Sequence, residues 1–455
     1  MLFDFAEIDM SCRGELYHML YKKIKQACLD GALKKGEKLP SIREAAKQLG
    51  VSRTTIENAY IRLCIEGFAE SRPQRGYFIT EATESYKKPP EKEKNIQHIE
   101  FDFSSRKIDT AAADTQVWKK TVRSVLCDSG ELTSYSDSQG ESGLRNALAT
   151  YSYKARGVRT TADDIVIGAG IGPLLNILCG LLGRNIHIGF ENGGFYKAQS
   201  ILEDYGIKYT NLDFDSSGAK IQSIEENNID TLFLLPSALS KIGVTSLSKR
   251  RNEYCSWVSG EDNRIIIEDD YNGELRYTAR SVPAFQSKAP ERTVYIGSFS
   301  KLLLPSVRIA YMVLPPHLSE QFRKRKNTYN QTCGKIDQLA LEQYIENGSL
   351  EKHLRRLRRL YYTKSQLLCS ELLSHSKRIK SMTLYESSLT VEVKTNIQRK
   401  SKEICDYLLA NSIRLMECDT DGCVRLCFAG INKEDIPQAA KKISELLENF
   451  FNQKM

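Results

Sequence analysis

The 455-residue sequence has no apolar stretch long enough to cross a bilayer and shows no secretory signal pattern, which makes the cytoplasm the expected location. Its 12 cysteines are scattered rather than paired at zinc spacings, and Cys418, Cys423 and Cys427 lack an accompanying histidine and cysteine pattern. Reduced core thiols are therefore expected, with no metal. Internal repeats are absent. Compositional bias is confined to residues 80–99, which are charged, proline-containing and poor in apolar residues. Such a segment cannot bury a core and reads as a linker, able to span roughly 65 Å if extended. A chain of this length exceeds one ordinary domain. The division expected is residues 1–79, the linker 80–99, and a large region 100–455 with a big and a small lobe.

What is present begins with one lysine. In the run Tyr295-Ile-Gly-Ser298-Phe-Ser-Lys301-Leu-Leu-Leu-Pro305-Ser-Val-Arg308-Ile-Ala-Tyr311, Lys301 stands between an apolar strand and a second apolar run. Those surroundings disfavour a solvated ammonium, and a neutral amine can attack an aldehyde. Ser298 and Arg308 offer a hydroxyl and a guanidinium fork, the groups needed to hold a phosphate beside that amine. The combination points to pyridoxal phosphate. Upstream, Arg264-Ile-Ile-Ile-Glu-Asp269-Asp-Tyr271-Asn-Gly reads as a short buried strand ending in acids at the C-terminal edge of a parallel sheet. A carboxylate there can keep a pyridine nitrogen protonated and a tyrosine can bond the ring's phenolic oxygen, roles that fit Asp269 and Tyr271. The plain alternative is that Glu268, Asp269 and Asp270 only cap local structure.

With these residues in this order, the chain resembles the fold type I aminotransferase superfamily over roughly residues 100–450. The strand, glycine turn and amphipathic helix from Asp164 through Gly168 and Gly170 match it, and Gly170, Ile171 and Gly172 would cradle a phosphate at a helix N-terminus. By the same resemblance, Tyr135 would reach the phosphate of a neighbouring subunit, unless it is an ordinary loop aromatic. Phe195 would stack on the cofactor ring, a core phenylalanine being the equal alternative. Arg425, in Gly422-Cys-Val-Arg425-Leu-Cys, stands where the family binds the substrate carboxylate, with a buried structural ion pair as the competing account. Relatives that sense an amino acid can carry an arginine where this chain has Lys197, an effector-side cation that gives a point charge rather than a fork. The usual Asn-Pro-Thr-Gly appears here as Ser240-Lys-Ile-Gly. Ser240 can still donate to the ring oxygen, but positioning is looser, so slow half-transamination rather than steady turnover is expected.

The first eighty residues are of another kind. Residues 14–33 alternate apolar and basic positions at helical spacing. A serine-capped short helix begins at Ser41 and ends at Gly50, and a second begins at Ser52, with Ile56, Tyr60 and Leu63 on one face. The segment from Glu70 to Ile79 reads as a hairpin with a basic glycine turn, a wing. Residues 11–80 carry 13 Lys or Arg against 7 Asp or Glu, a surplus of 6 within a net charge of +8. This module is similar to the GntR winged helix-turn-helix family. The resemblance implies DNA contacts from Arg43, Ser52, Arg53, Thr54 and Thr55, with Arg75 and Gly76 on the minor-groove side. Glu57 stands where related modules often carry a further arginine.

A GntR-type winged helix ahead of an aminotransferase-like domain resembles the MocR-type bacterial regulators. That implies a pyridoxal phosphate-binding homodimer that binds a DNA operator and responds to an amine, an amino acid or the cofactor itself. A true aminotransferase with a DNA-binding tether is the alternative. The basic run Arg355-Arg356-Leu-Arg358-Arg359 reads as the solvated face of an amphipathic helix.

Overall fold

The computed structural model describes residues 16–80, 98–104, 107–127, 130–191, 196–215, 217–236, 244–270, 272–277, 282–385, 388–418 and 420–452. The linker assigned to residues 80–99, apart from its ends, lies outside them. The chain divides into two units, Met1–Ile96 and Gln97–Met455.

In the first unit three helices, α1 (Leu16–Leu29), α2 (Ile42–Leu49) and α3 (Arg53–Ile65), precede a hairpin of β1 (Ala69–Arg72) and β2 (Gly76–Ile79). Each of the two short helices starts on a serine. Ser41 accepts a hydrogen bond from the Glu44 N–H at 3.2 Å, and Ser52 accepts from the Thr55 N–H at 3.1 Å. Gly50 ends α2 in the left-handed region (φ 66°), a conformation that costs glycine nothing. Ile56, Tyr60 and Leu63 are all buried, against Leu20 and Ile24 of α1 and Phe68. The apolar period of 3.6 thus becomes one small core, which leaves the start of α3 in solvent.

The second unit is built on a sheet of seven strands in the order β4-β12-β11-β10-β9-β5-β6. It opens with the short β3 (Phe101–Asp102) and the helices α4 (Thr115–Cys127) and α5 (Ser142–Arg156). Then follow β4 (Ile165–Gly168), α6 (Ile171–Leu182), β5 (His187–Glu191) and β6 (Lys208–Leu212). A minor ribbon of β7 (Phe214–Asp215) and β8 (Gly218–Ala219) precedes β9 (Thr231–Leu234), β10 (Ile265–Asp269), β11 (Thr293–Ser298) and β12 (Ala310–Val313). Only β12 is antiparallel to its neighbours. The strands are apolar throughout because both faces are covered. Ile265 and Ile267 pack with α6 on one side, and Ile266 with Trp257 on the other.

After β4 the chain crosses four strands to reach β5, and a crevice at such a switch in strand order is where open α/β sheets bind ligands. The smaller lobe is a sheet of β13 (Ile379–Tyr385), β14 (Thr390–Thr395), β16 (Met416–Glu417) and β17 (Cys423–Cys427), while β15 (Ile413–Arg414) pairs with β3. It is backed by the helices Ser349–His375 and Ile436–Asn452. On the first of these, His353, Leu354, Leu357 and Tyr361 are buried while Arg355, Arg356 and Arg359 are exposed, so the basic run is the solvated side of a packed helix. Among the described residues, no helix is long and apolar enough to cross a membrane.

Candidate functional site

The carboxyl ends of β4, β10 and β11 lie along one edge of the large sheet, because these strands run in the same direction. Alternation along a strand sends Asp269 to the opposite face from Glu268 and Asp270, and the three acids meet different fates. Glu268 accepts backbone hydrogen bonds from Phe285 at 2.9 Å and Gln286 at 3.1 Å. Asp270 takes the Arg156 guanidinium at 2.5 Å and the Tyr295 hydroxyl at 3.2 Å. Asp269 is buried, and among the described residues no hydrogen bond or ion pair reaches its carboxylate. Burial, helped by the neighbouring Asp270 charge, pushes the Asp269 carboxyl up to about 8. A buried acid without a partner is costly. It has a use if a cationic ring N–H is to be met there.

One strand over, Ser298 ends β11, and its hydroxyl lies 3.3 Å from that of Ser300, which accepts from Arg308 Nη1 at 3.3 Å. Arg308 holds a left-handed backbone (φ 54°) just before β12, a conformation costing roughly 1–2 kcal/mol outside glycine. The strain aims the guanidinium at Gly170, where a Cβ would strike Arg308 Nη2. Gly170 itself has φ 90° and opens α6, whose first N–H groups face the same space. A Cβ on Gly172 would sit 3.7 Å from Lys197 Nζ. Two cations, two hydroxyls and a helix N-terminus therefore converge as a cradle for a dianion. Lys301 follows in the turn after β11 and is half-buried. Leu302 and Leu303 turn into the core, away from solvent, so the apolar flank packs the lobe instead of wrapping the amine. Tyr135 is fully exposed on this chain. Phe195, Ser240 and Tyr271 lie outside the described residues.

In the small lobe Arg425 stands on β17 directly across from Glu392 on β14, and its Nη2 donates to Glu392 Oε2 at 2.8 Å. Among the described residues, Arg425 Nε is buried with no acceptor. The arginine thus has an internal carboxylate partner and a buried Nε–H still to be satisfied.

On the first unit Arg43, Ser52, Arg53, Thr54 and Arg75 are exposed, and Thr55 and Gly76 are half-exposed. The Ser52 and Thr55 hydroxyls are 2.8 Å apart and occupied with the helix cap. Arg53 and Thr54 therefore lead the face that can meet a groove.

Residues 16–79 match the family described as bacterial regulatory proteins, gntR family, and residues 100–443 match aminotransferase class I and II. The chain is 33% identical to the HTH-type transcriptional regulator YdeL of Bacillus subtilis (strain 168), over 94% of this chain and 96% of that protein. It is 27% identical to the probable rhizopine catabolism regulatory protein MocR of Rhizobium meliloti, over 78% of this chain and 76% of that one. The crystal structure of an archaeal alanine:glyoxylate aminotransferase superposes with a TM-score of 0.68 at 19% identity, covering 80% of this chain and 92% of that one. This chain belongs to the MocR-type transcriptional regulators.

Such a regulator joins a DNA-binding gntR module to an aminotransferase class I and II fold, a fold that implies pyridoxal phosphate dependence. Two features escaped the sequence. Lys197 lies beside Gly172 in the cradle, far from the Arg425 pair in chain position. Glu392 as the partner of Arg425 was not foreseen either, although the apolar flanks of that arginine called for an anion. A cross-strand alignment of Glu392 with Arg425 would have found it.

Proposed function

We propose that this MocR-type regulator holds pyridoxal phosphate at the carboxyl edge of its large sheet and changes its operator binding when an amine reacts there. The observation that carries the reading is the buried Asp269 carboxylate, which lacks a partner among the described residues, beside the cradle of Gly170, Arg308, Ser300 and Lys197. The residues fit the group. Asp269 would meet the ring N–H, the helix N-terminus and the two cations would take the phosphate, and Lys301 is the amine in reach of the aldehyde. Bound there, the cofactor would supply an electrophilic carbon, and Lys301 would be the amine that an incoming primary amine displaces and releases as the free side chain. Arg425 offers its Nε to a carboxylate on that amine, which must share the arginine with Glu392. Lys197 serves the phosphate in this reading and leaves the effector side to Arg425. Tyr135, fully exposed in one chain, suits a site completed by a second copy, so the working form is a homodimer in the cytoplasm, on its operator when bound to DNA.

The test follows the visible absorbance of protein loaded with pyridoxal phosphate, and operator binding, while candidate amines are titrated. Borohydride should fix the cofactor to Lys301 in the parent and to no residue in Lys301→Ala. Label mapped to another lysine overturns the assignment. Rapid multiple turnover with an amino donor and a 2-oxo acid would instead make the chain an aminotransferase with a DNA tether.

A further inference from the structure

The residues Glu392, Cys418 and Cys423 come from β14 and from the two arms of the β16–β17 hairpin, and the carboxylate oxygen and both sulfurs lie within 4.8 Å of one another. The cysteines are placed by register. Met416 pairs with Arg425 and Glu417 with Val424, so Cys418 and Cys423 are the next rung of the same antiparallel ladder. That rung is wedged open. The Ser401 hydroxyl accepts from the Cys418 N–H at 2.8 Å and donates to the Cys423 carbonyl at 2.6 Å, in place of a direct bond between the strands. Gly422 shapes the turn with φ 68°, and a Cβ there would meet the Ile397 carbonyl oxygen at 2.5 Å.

We propose that Cys418, Cys423 and Glu392 form a binding site for a soft divalent cation of the zinc class. Two thiols and a carboxylate are the donors such ions take, at about 2.0–2.3 Å each. Four residues separate the two cysteines, and strand register rather than a complete zinc motif brings them together. Two thiolates and a carboxylate are balanced by a dication together with the Arg425 guanidinium that already bonds Glu392. Binding expels the two thiol protons to solvent and leaves a coordination position open for water or a ligand atom. The wedge argues against the other chemistry open to a thiol pair. A disulfide needs sulfurs at about 2.05 Å and a fixed dihedral angle, and the Ser401 hydroxyl holds the backbone of the rung in its present spacing, whereas a cation can bridge the two sulfurs and the Glu392 carboxylate without closing it. Cys418 is half-exposed and gives the ion a way in.

The experiment uses the full-length reduced protein, stripped of metal by a chelator, with Zn²⁺ and Cd²⁺ as probes. One equivalent of Zn²⁺ should be taken from a chromophoric chelator, with proton release, and Cd²⁺ should give a thiolate charge-transfer band in the ultraviolet. Cys418→Ser with Cys423→Ser should abolish both signals, and Glu392→Gln should weaken binding about 10-fold or more. Should the double variant fail to fold, alkylation of the parent protein decides: Zn²⁺ should protect Cys418 and Cys423 and leave the exposed Cys127 reacting as before. Unchanged binding in the folded double variant, or no protection of the pair, overturns the site. So does a Cys418–Cys423 disulfide forming readily with oxidised glutathione in protein that takes up no metal. Because none of these signals needs pyridoxal phosphate, their failure leaves the cofactor reading untouched.

Discussion

Asp269 shows how much one side chain's surroundings determine. Burial and the neighbouring Asp270 charge push its carboxyl from the ordinary carboxylate range up to about 8 in the folded chain, so between those pH values the folded state retains a proton that the unfolded state has released. Stability from this group is full below about pH 4 and falls as pH rises toward 8, by an amount on the order of a few kcal/mol. Glu268 and Glu274, both pushed up to about 7 by burial, add to the same trend. Asp269→Asn should therefore flatten the loss of stability between pH 4 and 8 in cofactor-free protein, as measured by denaturant midpoints across pH. In the parent, pyridoxal phosphate should raise the midpoint most at alkaline pH, and in Asp269→Asn much less. A parent whose stability does not change over this range would remove the buried acid from the argument. The sequence displays three adjacent acids that taken alone read as structural caps, and only the later Ser298 and Lys301 turn one of them toward a cofactor. Which of them lacks a partner depends on Phe285, Gln286 and Arg156, residues brought up from other parts of the chain.

The helix α3 carries two jobs on neighbouring residues, and they can be separated. Ser52 caps the helix, and replacing it by alanine should cost about 0.5–2 kcal/mol of stability in that unit. Among the described residues, no side-chain hydrogen bond or ion pair is made by Arg53. Arg53→Ala should leave the melting of the unit unchanged and weaken operator binding by about 1–3 kcal/mol if it reads a base. Binding in both proteins should fall as salt rises, through lost phosphate contacts. Operator affinity equal to the parent's across salt concentrations would take Arg53 off the contact surface. The serine caps, the glycine stop and the apolar face of these helices were legible in the sequence because each depends on neighbours within a few residues. The occupation of the Ser52 and Thr55 hydroxyls by each other was not, since cap residues and base-reading residues are of the same types.

Taken as an assembly, the chain makes sense only with its copy if the exposed Tyr135 serves another subunit's cofactor. Mixing Tyr135→Phe protein with Lys301→Ala protein should then produce hybrid dimers with one intact site, which borohydride fixation detects as tight cofactor binding absent from either parent variant. Failure to complement, in dimers shown by sedimentation to be mixed, would place Tyr135 outside the site. Local pattern sufficed to reveal the gntR module, the strand–turn–helix at Gly170, the lysine run around Lys301 and the large α/β region, because each is written in periodicity and turn chemistry over a dozen residues. Convergence was beyond it. Glu392 meets Cys418, Cys423 and Arg425 through strand register, and Arg308 meets Gly170 through an antiparallel strand that returns to the edge where β4 ends. Such meetings are fixed by how separate elements pack, and no spacing along the chain encodes them.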